Sequence, residues 1–139
     1  MKKIMMAFLV ALPIFASAQK VDVKDGKILV DGKEYALIER SHGDFTVRDL
    51  SGNEAIIIRS VRFQDPTTSY SQPIVFYAEF IFLNSKQKAE SKDLYHRINK
   101  MAEVVVKAKL FKDGVIDEEA VSRYVLINGT PFSDRIRVR

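Results

Sequence analysis

The chain has 139 residues, with 22 Lys+Arg against 18 Asp+Glu, two histidines and no cysteine. Its length suits one domain and buries enough surface to fold without disulfide or metal. The lack of cysteine excludes thiol chemistry and cysteine-built zinc sites, and the small charge excess gives no footing for nucleic-acid binding.

Met1-Lys2-Lys3 opens with two positive charges, and Ile4 to Phe15 follow without a charge. Ala16-Ser17-Ala18 then places small residues where a signal peptidase needs them. This pattern predicts a secretory signal peptide over residues 1–18, cleaved near Ala18. The apolar run of about 12 residues is well short of the roughly 20 that cross a hydrocarbon core, so no membrane span is expected. No cysteine follows it, so no lipid anchor is expected either. The reading is a periplasmic or secreted protein, a single α+β domain over 19–139. Lys2 and Lys3 would leave with the leader, lowering the net charge from +4 to +2.

The first half of that domain reads as short strands joined by tight turns. Val21-Asp22-Val23 leads to Asp25-Gly26, Ile28-Leu29-Val30 leads to Asp31-Gly32, and Lys33 to Arg40 follows. Asp-Gly between apolar runs is a strong hairpin signal, because a type I′ turn needs positive φ at both central residues. Gly43-Asp44 and Ser51-Gly52-Asn53 punctuate the next two runs. The result is an antiparallel meander.

Glu54–Phe63 and Ile74–Leu83 are longer and apolar on both faces, as strands inside a sheet are. Paired antiparallel, they set Arg59 opposite Glu79, Ile57 opposite Ile81 and Ile58 opposite Phe80. Each strand's one awkward charge then finds the other, and a structural ion pair between Arg59 and Glu79 is expected. The polar connection from Asp65 to Pro73 is long for a hairpin.

The second half changes period. Leu94, Ile98, Met101, Val105 and Ala108, with Ala102 beside them, predict one long helix from about Lys86 to Phe111, stopped by Asp113-Gly114. A second helix is expected from Asp117, an N-cap followed by Glu118 and Glu119, to Asn128-Gly129. Phe132 to Arg139 alternates, with Arg135, Arg137 and Arg139 on one side, and reads as a final strand or extended tail. The expected fold is α+β: an antiparallel meander sheet of about six strands followed by a C-terminal helix pair on one face. The Phe76, Phe80 and Phe82 face is the one expected to receive the long helix, because aromatic rings bury the most area.

Chemistry is sparse. His42 in a turn and His96, placed in the long helix, lack partners at zinc-site spacing, so no metal or cofactor is expected. Ser41-His42-Gly43-Asp44 holds triad residue types, but neighbours in a turn do not adopt triad geometry by adjacency. Helix, turn and helix imitates a DNA-binding outline, yet acids at the second helix's start would repel phosphate, so no nucleic acid is expected. Two surface features remain. The loop carries Asp65, Tyr70 and Gln72, which can stack on and hydrogen-bond a sugar or peptide. The Arg135, Arg137 and Arg139 row can meet an anionic partner.

The function read from these residues is a non-catalytic binding or interaction module of the periplasm or cell surface. Its partner would be another envelope protein, a peptide or a glycan. The alternative is a small hydrolase or lyase using Glu79, with Arg59 as its charge partner. A third reading is an accessory piece whose sheet edge pairs with another chain.

Overall fold

The computed structural model describes residues 19–65 and 74–137. The expected leader, and residues 66–73 of the long loop, lie outside the described residues. The elements in order are β1 (Val21–Lys24), β2 (Lys27–Val30), β3 (Lys33–Ser41), β4 (Asp44–Arg48), β5 (Glu54–Gln64) and β6 (Ile74–Phe82). They continue as β7 (Gln87–Lys92), α1 (Ile98–Lys107), β8 (Phe111–Lys112), β9 (Val115–Ile116), α2 (Glu118–Asn128) and α3 (Pro131–Arg137). β1 to β7 form a single antiparallel sheet in chain order, and β8 pairs only with β9. The architecture is α+β, a meander sheet followed by helices.

Turn chemistry sets the meander. Asp25-Gly26 has φ of +51 and +73, and Asp31-Gly32 has +50 and +81, the double positive φ that a tight hairpin demands. His42-Gly43 repeats it at +52 and +88. The β5–β6 register is the expected one, with Ile57 opposite Ile81, Ile58 opposite Phe80 and Arg59 opposite Glu79.

One sheet face carries the core. Ile28, Ile38, Phe45, Val47, Ile56, Ile58, Phe80 and Phe82 are all buried on it. Met101, Ala102, Val105 and Val106 of α1 and Ala120, Val121 and Tyr124 of α2 close over them. α1 lies mainly against β1 and α2 against β7, so the helix pair spans the sheet from edge to edge. Tyr124 meets Phe80 and Phe82 edge-on, at ring separations of 5.4 and 6.1 Å. α2 begins as expected: the Asp117 carboxylate accepts from the N–H groups of Glu119 and Ala120. It ends at Gly129, where φ is +53.

Three expectations are corrected. The single long helix is two elements: Gln87–Lys92 is a seventh strand, and the helix runs only from Ile98 to Lys107. The five-residue link between them places Asp93 and His96 at φ of +64 and +54, incompatible with a continuous helix, so His96 sits in a turn. Helical spacing holds from Ile98 to Val105, but Leu94 lies in the link and Gln87–Lys92 is a polar strand. Asp113-Gly114 stops no helix; at φ of +52 and +76 it turns the β8–β9 hairpin. Finally, the Phe132 segment is not a strand but α3, with Pro131 at its first position, where the missing N–H costs nothing.

α3 is held from the opposite face of the sheet. Glu90 of β7 is 2% exposed, and its Oε1 accepts from the N–H groups of Phe132 at 2.9 Å and Ser133 at 3.0 Å. The backbone N–H of Glu90 donates to Gly129 O at 2.8 Å, so the C-terminal segment also covers the β7 edge. Phe132 stacks on Tyr77 at 5.0 Å with the rings 12° apart.

Candidate functional site

β4 pairs with β5 only between Glu54 and Ile58, and β7 pairs with β6 only from Tyr77 to Phe82. Arg59–Gln64 and Ile74–Phe76 therefore run on beyond the sheet as a two-stranded ribbon. Such a ribbon is marginal alone and needs packing on its faces. On the outer face, Phe63 meets Tyr77 edge-on at 5.9 Å, and Tyr77 carries Phe132 of α3. Burial raises the Tyr77 phenol's pKa, with the Glu90 and Glu79 carboxylates adding to the effect and Arg59 opposing it.

On the inner face the link between β7 and α1 does the same work. Tyr95 packs on Phe76 at 4.8 Å, His96 lies 4.2 Å from Tyr95, and the His96 N–H donates to Ser60 Oγ at 3.0 Å. Two non-glycine residues in the left-handed region of one short link are uncommon, and here they lay Tyr95 across the ribbon. Even so, Ile74 stays 52% exposed and Phe76 40% exposed. Among the described residues no strand pairs with Arg59–Gln64 on the β4 side.

Two features read separately from the sequence meet at the far end of the ribbon. Arg135 Nη1 of α3 lies 3.7 Å from Oδ2 of the buried Asp65, where the long loop departs from β5. The Arg135 guanidinium also lies over the Phe132 ring at 5.9 Å. Tyr70, Gln72 and Arg139 lie outside the described residues, and Arg137 is placed only as the last residue of α3. The one-sided row expected of Arg135, Arg137 and Arg139 belonged to a strand, and as far as Arg137 the segment is α3 instead.

Arg59 and Glu79 stand opposite each other in the β5–β6 register, but the ion contact of the exposed Arg59 guanidinium is with Asp44 of β4, Nε lying 4.0 Å from Oδ2, rather than the expected one with Glu79. On its other side Glu79 faces Glu90. That would be a carboxylate pair, but Glu90 is already committed to the N–H groups of α3. Five open depressions of 300 to 400 Å3 mark the described surface, and Glu79 lines none of the five. Among the described residues no three His, Asp or Glu side chains gather as a metal site requires, and no helix is long and apolar enough to cross a membrane.

The contribution of Tyr95, His96 and Phe76 to one surface was not visible in the sequence, because the helix reading buried that link inside a rod. The available signal was Tyr95-His96 between two lysine-rich stretches, with Asp93 as a turn former. Compared with protein-family models, with curated proteins and with solved structures, the chain matches none.

Proposed function

We propose that this is an exported, non-catalytic interaction module that engages its partner through the projecting β5–β6 ribbon. The observation that carries the reading is that no described strand pairs with Arg59–Gln64 on the β4 side, while Ile74 and Phe76 of the same ribbon are exposed. An open edge takes an added strand through main-chain hydrogen bonds, while side-chain contacts beside it supply specificity. Arg59 and Arg62 on that edge discourage self-pairing and leave room for a partner bearing acids. The partner is an extended segment of another envelope protein or a peptide, with a glycan engaging the loop as the other form of the same role. The hydrolase or lyase alternative draws no support from Glu79, whose facing carboxylate serves α3.

Export rests on the pattern of residues 1–18 and is tested by fractionating the native host and sequencing the protein's amino terminus. The expected result is a protein outside the cytoplasm beginning at Gln19; a cytoplasmic chain retaining Met1 contradicts it. The binding surface is tested with an Ile74→Asp variant, which leaves the Phe76–Tyr95 contact in place. It should keep the thermal midpoint of the parent within a few degrees and lose co-purification of an envelope partner that the parent retains. Retention of that partner by the folded variant contradicts the assignment.

A further inference from the structure

A second surface, away from the ribbon, carries its own combination of groups. α2 ends in Leu126 and Ile127, which are 86% and 74% exposed, the two most exposed large apolar side chains of the described residues. Single exposed aliphatics are ordinary, but Ile127 lines a groove between α1 and α2. The groove consists of two depressions of about 300 and 390 Å3 that share Lys107, Ala108, Tyr124 and Ile127. Val104 extends its apolar floor, and Lys109 and Arg123 stand with Lys107 around it. No acid lines either depression. Among the described residues, none of Lys107, Lys109 and Arg123 is ion-paired, although other surface cations, such as Arg48 with Glu39 and Lys27 with Glu34, are. Lys107 suits the negative end of α1, but that accounts for one cation and not for three, nor for the bare Ile127 among them.

We propose that the α1–α2 groove docks an acidic amphipathic helix of a partner protein. A groove lined by two helices with an apolar floor can seat a third helix through its own apolar stripe. The three unpaired cations at the rim select glutamates or aspartates flanking that stripe and oppose a basic one. Ile127 is the apolar anchor, and Tyr124 is part of the floor.

The test uses the purified full chain and a synthetic helical peptide with leucines on one face and glutamates on the other. Backbone amide shifts are followed by NMR, with the same peptide bearing lysines in place of glutamates, and with phosphatidylglycerol vesicles, as comparisons. The glutamate peptide should bind saturably, with shifts centred on Val104–Lys109 and Arg123–Asn128, and weaken as salt is raised. Lys107→Gln/Arg123→Gln should weaken it by roughly tenfold while leaving the melting midpoint in place. Ile127→Ser, at an exposed site where folding is not at stake, should weaken it comparably. Equal binding of the lysine peptide, binding centred elsewhere, or affinity unmoved by both variants overturns the proposal. So does vesicle binding through the same residues without peptide binding, which would assign the surface to an anionic membrane.

Discussion

At the scale of single residues, Tyr124 shows how this core holds a polar group at a cost. Its hydroxyl is buried with no hydrogen-bond partner among the described residues. Burial pushes its pKa up to about 12, and Ser91 beside it acts the other way without overcoming that. A buried, unpaired hydroxyl contributes little or negatively to stability, while the ring contributes through Phe80 and Phe82. Tyr124→Phe is therefore expected to be neutral or to stabilise the protein by up to about 1 kcal/mol in urea denaturation at neutral pH. The sign with pH follows from the raised value. The folded state holds this proton more tightly than the unfolded chain, so the stability it secures is complete below the ordinary tyrosine pKa and lost as pH rises toward 12. The phenylalanine variant should lack that part of the alkaline loss; an unchanged alkaline limb would contradict the assignment.

Gly114 makes a second residue-level case. Its φ is +76, and a Cβ there would stand 2.9 Å from Leu50 Cδ1, whereas Gly52, at φ of +90, would meet nothing within 4 Å. Gly114→Ala thus adds a contact to the backbone strain, and Gly52→Ala adds strain alone. Each strained position should cost about 1–3 kcal/mol, with Gly114→Ala the larger loss. Combining Leu50→Ala with each variant in a denaturation series separates the two terms: it should shrink the Gly114 loss and leave the Gly52 loss unchanged.

Among the elements, α3 is the one whose identity depends on a distant residue. Its first N–H groups are satisfied by Glu90, 42 residues earlier in the chain. Glu90→Ala removes that acceptor and leaves buried N–H groups unpaired, for an expected loss of about 2 kcal/mol. Hydrogen exchange should rise first at Phe132 and Ser133. Protection at those two amides unchanged from the parent would show that α3 stands without the cap. The same dependence explains what could be read in the sequence and what could not. Asp25-Gly26, Asp31-Gly32 and the Asp117 cap were legible because the residues that decide them are adjacent. The β5–β6 register was legible because Arg59 and Glu79 leave one arrangement in which neither charge faces an aliphatic. Gln87–Lys92 was not, since its buried positions are Ala89 and Glu90, too small and too polar to announce a strand. α3 was not, since its alternating residues mimic a strand and its cap lies far away. Asp65 and Arg135 were each singled out, but their approach to 3.7 Å exists only because α3 folds back over the sheet.

For the whole molecule, the arrangement separates scaffold from surface. The helix pair and the inner sheet face supply one continuous core, and the C-terminal segment covers the β7 edge, so the body of the domain offers little open backbone there. Among the described residues, the ribbon beyond Ile58 and Tyr77 joins a length of strand without a neighbour to apolar side chains, being braced on both faces by aromatic rings yet exposed at Ile74 and Phe76. In the proposed role, bracing of the ribbon would keep its geometry fixed and limit the entropy lost on binding. The most direct measurement is photo-crosslinking in the native host, with a photoreactive residue placed in turn at positions 74, 76 and 115. Position 115 serves as the comparison because Val115 is equally exposed but lies on the β8–β9 hairpin. The account predicts a discrete adduct of one size from positions 74 and 76 and none from 115; adducts absent from both ribbon positions, or arising equally at 115, would contradict it.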